Sequence, residues 1–177
     1  LHTDKSSAAS DVYKRQPYNE ACTSNSKKLN LIAGEDKFLN NPYSSLAKAI
    51  KLIDTFGENI ILRHQSDWIS GWFLNDWNYG EEGNNLKLGW NIASKSWPES
   101  FDTFSLKKSL PLIMKSGSIL GKIDKSIANL LGTNEHLLLI SGTTDSNAAF
   151  IAAQVKENEG LTILGTTIVL KKIIKTT

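Results

Sequence analysis

The sequence predicts an α/β fold, and three observations carry that prediction. Short apolar runs alternate with segments of helical spacing along most of the chain. The stretch LLLISGTTDSNAAFIAA, residues 137–153, runs from an apolar strand pattern through small and polar residues into an alanine-rich helical pattern. In GLTILGTTIVLKK, residues 160–172, two β-rich runs flank the corner Gly165–Thr166–Thr167 and signal a hairpin.

Taken in order, the elements begin after residues 1–16. LHTDKSSAASDVYKRQ has neither helical nor strand period and is similar to a translated sequencing-adapter remnant; a disordered natural N-terminus is the alternative. The domain is therefore expected over residues 17–177. From Tyr18 to Ala33 the pattern is polar and loosely helical, with Leu29 and Ile32 as apolar contacts. NPYSSLAKAIKLIDTFG is a clearer helix: Ser44 or Ser45 can cap it, Leu46, Ala47, Ile50 and Ile53 recur on one face, and Gly57 stops it. NIILRH reads as a short buried strand, and SDWISGWFL as a helix that puts Trp68 and Trp72 on one side.

All five tryptophans lie between positions 68 and 97, in an Asn- and Gly-rich stretch without a long period. So many aromatics argue for an irregular packed excursion rather than a linker, and for core rather than a sugar platform. LPLIMKSGSILGKI predicts a proline-led strand and a glycine turn. DKSIANLLG is a short helix between an Asp124 cap and a Gly132 stop. HLLLI reads as a buried strand, and DSNAAFIAAQV as a helix whose alanines allow close packing on a sheet.

The bulk numbers narrow the function. The 177 residues suit one domain with a real core, and 40% hydrophobic with 21% charged residues is ordinary for a soluble protein. A net charge of +2, with only the pairs Lys27–Lys28 and Lys171–Lys172, offers no nucleic-acid stripe. The single Cys22 excludes an internal disulfide and fits a reducing compartment. The three histidines, His2, His64 and His136, lack metal-ligand spacing. No apolar run approaches the roughly 20 residues that span a bilayer, so no membrane partner and a cytoplasmic location are expected.

The two glycine-threonine corners offer backbone N–H groups and hydroxyls unobstructed by bulky side chains, as a phosphate oxygen needs. Asp145 follows the first corner at a helix start, where the helix macrodipole favours negative charge. A carboxylate placed there can accept the proton of an attacking hydroxyl. It can equally serve only as a helix cap, with the threonines satisfying strand ends. Neither corner is a Walker loop, since Gly-Lys-Ser/Thr does not occur.

YNEACTSNSKKL, SSLAKAIKL, SDWISGWFL, NNLKLGWN, WP, ISGTTDSNAAFIAA and LGTTIVLKK occur in the order found in FGGY-family carbohydrate kinases. The chain resembles the D-ribulokinase and xylulokinase-like branch over essentially all of residues 17–175. That resemblance implies part of the first of two actin-like, ribonuclease-H-like ATPase domains, which close over a ketose and MgATP. It implies Asp145 as the catalytic base that also contacts the sugar. It implies Gly165, Thr166 and Thr167 as a phosphate-binding loop. Tyr43 matches a substrate-contacting tyrosine of related polyol kinases, with a packing role as the alternative. Asp67 and Trp68 match a structural motif, the Asp as a helix cap and the Trp as core.

The family's opening Asp-Gly-Thr loop, its early sugar motif and its adenosine domain have no counterpart in these residues. The chain is accordingly expected to be an incomplete first domain, without turnover by itself and marginally soluble through an exposed sheet edge. For the intact parent the expectation is ATP- and Mg2+-dependent phosphorylation of D-ribulose or D-xylulose. A non-catalytic sugar-binding pseudokinase and an unrelated actin-like ATPase are the competing readings. The choice of sugar and the oligomeric state stay open.

Overall fold

Ser44 and Gly57 bracket the best-formed helix. The Ser44 hydroxyl accepts the Ala47 N–H at 3.0 Å, and Gly57, with φ of 86°, closes the other end by donating to the Ile53 carbonyl. This helix, α2 (Ser45–Phe56), belongs to a computed structural model that describes residues 20–164 and 168–174. The chain divides into two compact units. One runs up to Arg63 and resumes over Asn85–Pro111; the other comprises His64–Asn84 and the chain from Leu112 onward.

The first unit is helical and carries the apolar core. Leu46, Ala47, Ala49, Ile50 and Ile53 line the buried face of α2, joined by Leu29, Ile32 and Ala33 of α1 (Ser26–Ala33). Phe101, from the short α5 (Ser100–Thr103), is fully buried among them. Gly89 is required beside it: at φ of 119° an added Cβ would lie 3.0 Å from the Phe101 ring and 3.3 Å from Leu39. Trp97 stacks on Phe101 at 6.0 Å and meets Trp90 edge-on at 5.3 Å, so these aromatics extend the core.

The segment NIILRH, read as a buried strand, forms no ladder. Its Leu62 N–H donates to the Ser109 carbonyl at 2.8 Å and Leu62 is buried, but Ile61 is exposed. Arg63 adds guanidinium bonds to the carbonyls of Leu62 and Ser109, at 2.6 and 2.9 Å. An apolar run with one backbone partner and a side-chain clamp stays extended without becoming sheet.

The second unit begins with α3 (Gln65–Leu74), which ends on Asn75 in the left-handed conformation. Gly71 on α3 makes room for Trp77, whose indole carbon would sit 2.4 Å from an added Cβ. Strand β1 (Tyr79–Glu81) leads into the short α4 (Glu82–Asn85) and pairs in parallel with β2 (Leu112–Met114). β3 (Ile119–Lys122) pairs antiparallel with β4 (Leu138–Ile140), around α6 (Lys125–Leu131). Asp124 caps α6 by accepting the Ser126 and Ile127 N–H groups, and Gly132, with φ of 63°, ends it. After α7 (Asp145–Ala152), β5 (Gly160–Leu164) and β6 (Ile168–Lys172) form the expected hairpin, from Gly160↔Lys172 to Leu164↔Ile168.

Helices and short sheets thus mix as an α/β class requires, with the described strands paired two by two. Two expectations about burial fail here. Leu138 and Ile140 are about half exposed, so β4 is not a buried strand. No residue of α7 is buried, so its alanines do not pack closely on a sheet. Both segments have the composition of core elements, yet neighbours cover only one side of β4 and little of α7. Among the described residues, no helix is long and apolar enough to cross a membrane.

Candidate functional site

The approach to Asp145 is built from the backbone. Ser141, just past β4, is buried and exchanges two hydrogen bonds with the loop before β3: its N–H donates to the Ser118 carbonyl, and its carbonyl accepts from the Gly117 N–H, both at 2.8 Å. Gly142 follows with nothing within 4 Å of the place its Cβ would occupy. Thr144 is the N-cap residue in an extended conformation, and its side chain makes no cap bond. Asp145, the first residue of α7, is exposed, and its Oδ1 accepts the Ser146 N–H at 2.6 Å. The carboxylate is therefore engaged locally on one oxygen and presented to solvent.

Gly165, Thr166 and Thr167 lie outside the described residues. The hairpin that carries them meets α7 through Lys171, whose ammonium donates to Asn147 Oδ1 at 2.6 Å and lies 6.0 Å from the Phe150 ring centre. Lys171 pairs with Leu161, toward the open end of the hairpin. Tyr43 belongs to the first unit, not to the unit of Asp145; its side chain is exposed and its N–H donates to Asn41 Oδ1. That exposure counts against a packing role.

Asp67 and Trp68 sit on α3. Trp68 is half-buried, with its ring 6.4 Å from Trp77 and its carbonyl accepting the Trp77 indole N–H at 3.1 Å. Asp67 is buried and accepts, on Oδ1, the backbone N–H of Glu81 at 3.0 Å, so it ties its helix to β1 beyond any local cap. Glu81, which the sequence reading did not single out, is the second buried carboxylate of this unit. Its Oε1 accepts from the Gly83 N–H at 2.8 Å and the Ser116 hydroxyl at 2.7 Å, and its Oε2 from the Asn84 N–H at 2.8 Å. The one local signal was a carboxylate two and three residues ahead of Gly83 and Asn84, the spacing of a helix N-cap; the contact with Ser116 left none.

A cavity of about 40 Å³ lies between these residues and the Gly142–Thr143 corner, lined also by Ser66, Ser70 and Ser141. That volume has room for ordered water. Among the described residues, no group of three His, Cys, Asp or Glu side chains could hold a metal ion.

Three titratable groups are tuned by their surroundings. Burial pushes the Cys22 thiol up, against the opposing pull of Lys51, whose own pKa is raised by its hydrogen bond to Glu20. Asp124 is held below the ordinary carboxylate value, first by the Ser126 hydroxyl and then by backbone N–H donors. Cys22 and Lys51 belong to the first unit and Asp124 to the second. No protein-family model matches the chain.

Proposed function

We propose that this chain is the base-bearing part of the first domain of an FGGY-type carbohydrate kinase, with the actin-like, ribonuclease-H-like architecture that this implies. The intact enzyme transfers the γ-phosphoryl group of MgATP to the terminal hydroxyl of a ketopentose, D-ribulose first and D-xylulose second. The observation that carries the reading is the presentation of Asp145. It is exposed at the first position of α7, three residues after Gly142, where an added Cβ would meet nothing within 4 Å.

In this reading the Asp145 carboxylate takes the hydroxyl proton as the sugar oxygen attacks the γ-phosphorus in line and ADP leaves. Bound MgATP would supply the phosphoryl group, and its metal ion would offset the charge on that group. Gly165, Thr166 and Thr167 contribute N–H and hydroxyl donors to the transferring group, and Tyr43 contacts the sugar. The motif order along residues 17–175 and the formation of the β5–β6 hairpin around the second corner support the assignment.

The test is ADP release by the uninterrupted reading frame across a panel of ketoses. Asp145→Asn is expected to lower kcat by about 10²–10⁴-fold, the usual contribution of a general base. Unchanged turnover in that variant would remove the base assignment, and sugar binding without ADP formation would favour a pseudokinase. The 177-residue chain alone is expected to release no ADP above background.

A further inference from the structure

A connected path of hydrogen bonds leads from buried carboxylates to the segment that presents Asp145. Asp67 Oδ1 holds the Glu81 N–H, and the Glu81 carboxylate holds both the start of α4 and the Ser116 hydroxyl. Capping α4 needs only the Gly83 and Asn84 donors. The third donor, 35 residues away in sequence, does something more: it pins the loop between β2 and β3. That loop then grips Ser141 through Gly117 and Ser118, with two bonds of 2.8 Å that prolong the β3–β4 ladder to the residue before Gly142. Four residues after Ser141 the chain reaches Asp145.

We propose that Glu81 is a positioning residue for Asp145. It fixes the Ser116–Ser118 loop, which sets the direction in which β4 exits and from which Gly142–Thr144 deliver the carboxylate. The inference deepens the kinase reading and rests on it for its catalytic meaning. Glu81 suits the task because a buried carboxylate persists only where donors surround it, and each of its donors comes from a segment it holds in place. Its oxygens are engaged by these three donors.

Two substitutions in the 177-residue chain test this by amide hydrogen exchange and NMR. Glu81→Gln keeps the shape but turns an NH2 donor toward a backbone N–H donor. Ser116→Ala removes only the pinning hydroxyl and leaves the α4 cap intact. Both are expected to speed exchange at the Gly117 and Ser141 amides by about three- to tenfold, the loss of one hydrogen bond. The Ala128 amide in α6 of the same unit is expected to keep its rate. The Ser146 amide, which donates to Asp145 Oδ1, is expected to shift its resonance.

Unchanged exchange at Gly117 and Ser141, an unmoved Ser146 resonance, or equal acceleration at Ser141 and Ala128 would each overturn the proposal. Should Glu81→Gln fail to fold, Ser116→Ala decides alone. These readouts do not depend on turnover. A full-length Asp145→Asn enzyme with normal activity would sink the kinase reading while leaving the coupling of Glu81 to the Ser141–Asp145 segment to stand or fall by exchange.

Discussion

The two units of this chain are held together by different means. In the first, Leu46, Ile50, Phe101 and Leu106 are at most 1% exposed, within a continuous apolar cluster drawn from α1, α2 and α5. In the second, the buried hydrophobic side chains among the described residues are Ile123 and Ala128, while Asp67, Glu81 and Ser141 are buried polar groups. Its strands leave Leu112, Ile119, Leu138, Ile140, Leu164, Ile168 and Leu170 exposed. One unit is organised by removal of apolar surface from water, the other by directional bonds between backbone and a few polar side chains. Asp145, the residue proposed as the base, sits in the second. A lattice of hydrogen bonds fixes orientation more sharply than packing does, which suits a segment that must aim one carboxylate.

The contrast can be broken at its strongest point first. Phe101→Ala is expected to destabilise the first unit by about 3–5 kcal/mol, the cost of truncating a fully buried aromatic. Urea denaturation followed at Trp90 and Trp97 measures it, and a loss under about 1 kcal/mol would show that the apolar cluster is not what holds this unit.

Gly71→Ala probes the second unit, where close approach and not area is at stake. The new methyl group would meet the Trp77 indole at 2.4 Å, and the indole cannot retreat without losing its bond to the Trp68 carbonyl. A cost of about 1–3 kcal/mol is expected from overpacking, read as a lower thermal midpoint together with a change in near-ultraviolet circular dichroism from the Trp68–Trp77 pair. A neutral substitution would mean the Trp77 side chain is free to move.

The smallest effect concerns the Asp124 cap. Its folded pKa is lowered by Ser126 and by backbone donors, so the stabilisation it brings is present above the unfolded carboxylate value and fades as pH falls through the folded one. Asn caps a helix about as well without titrating. Asp124→Asn is therefore expected to preserve α6 at neutral pH and to flatten its acid dependence below about pH 4. Amide exchange at Ala128 across that range is the measurement, and an identical pH profile in both proteins would remove the assignment.

Local chemistry was legible and distant pairing was not. Ser44, Gly57, Asp124 and Gly132 act within one helical turn of themselves, so the residue types alone marked where α2 and α6 start and stop. The hairpin β5–β6 was legible for the same reason, since its pattern and its corner are contiguous. Burial of β4 and α7 was misjudged because apolar composition states what an element can cover, and not whether a neighbour is there to cover it. Asp67 and Glu81 meet partners 14 and 35 residues away, and neither contact leaves a periodic trace. Asp145 was singled out at its corner as either a base or a helix cap; its role as the base, like the roles of Gly165, Thr166, Thr167 and Tyr43, came from the resemblance and belongs to the proposal.

The division of the chain has a practical corollary. The polypeptide passes from one unit to the other after Arg63, after Asn84 and after Pro111. A single proteolytic nick at any of these crossings would liberate neither half, because other covalent links remain. Splitting the protein for expression at one site would likewise leave at least one half in two pieces, whereas joining Arg63 to Asn85, or Asn84 to Leu112, would give the first or the second half an unbroken chain.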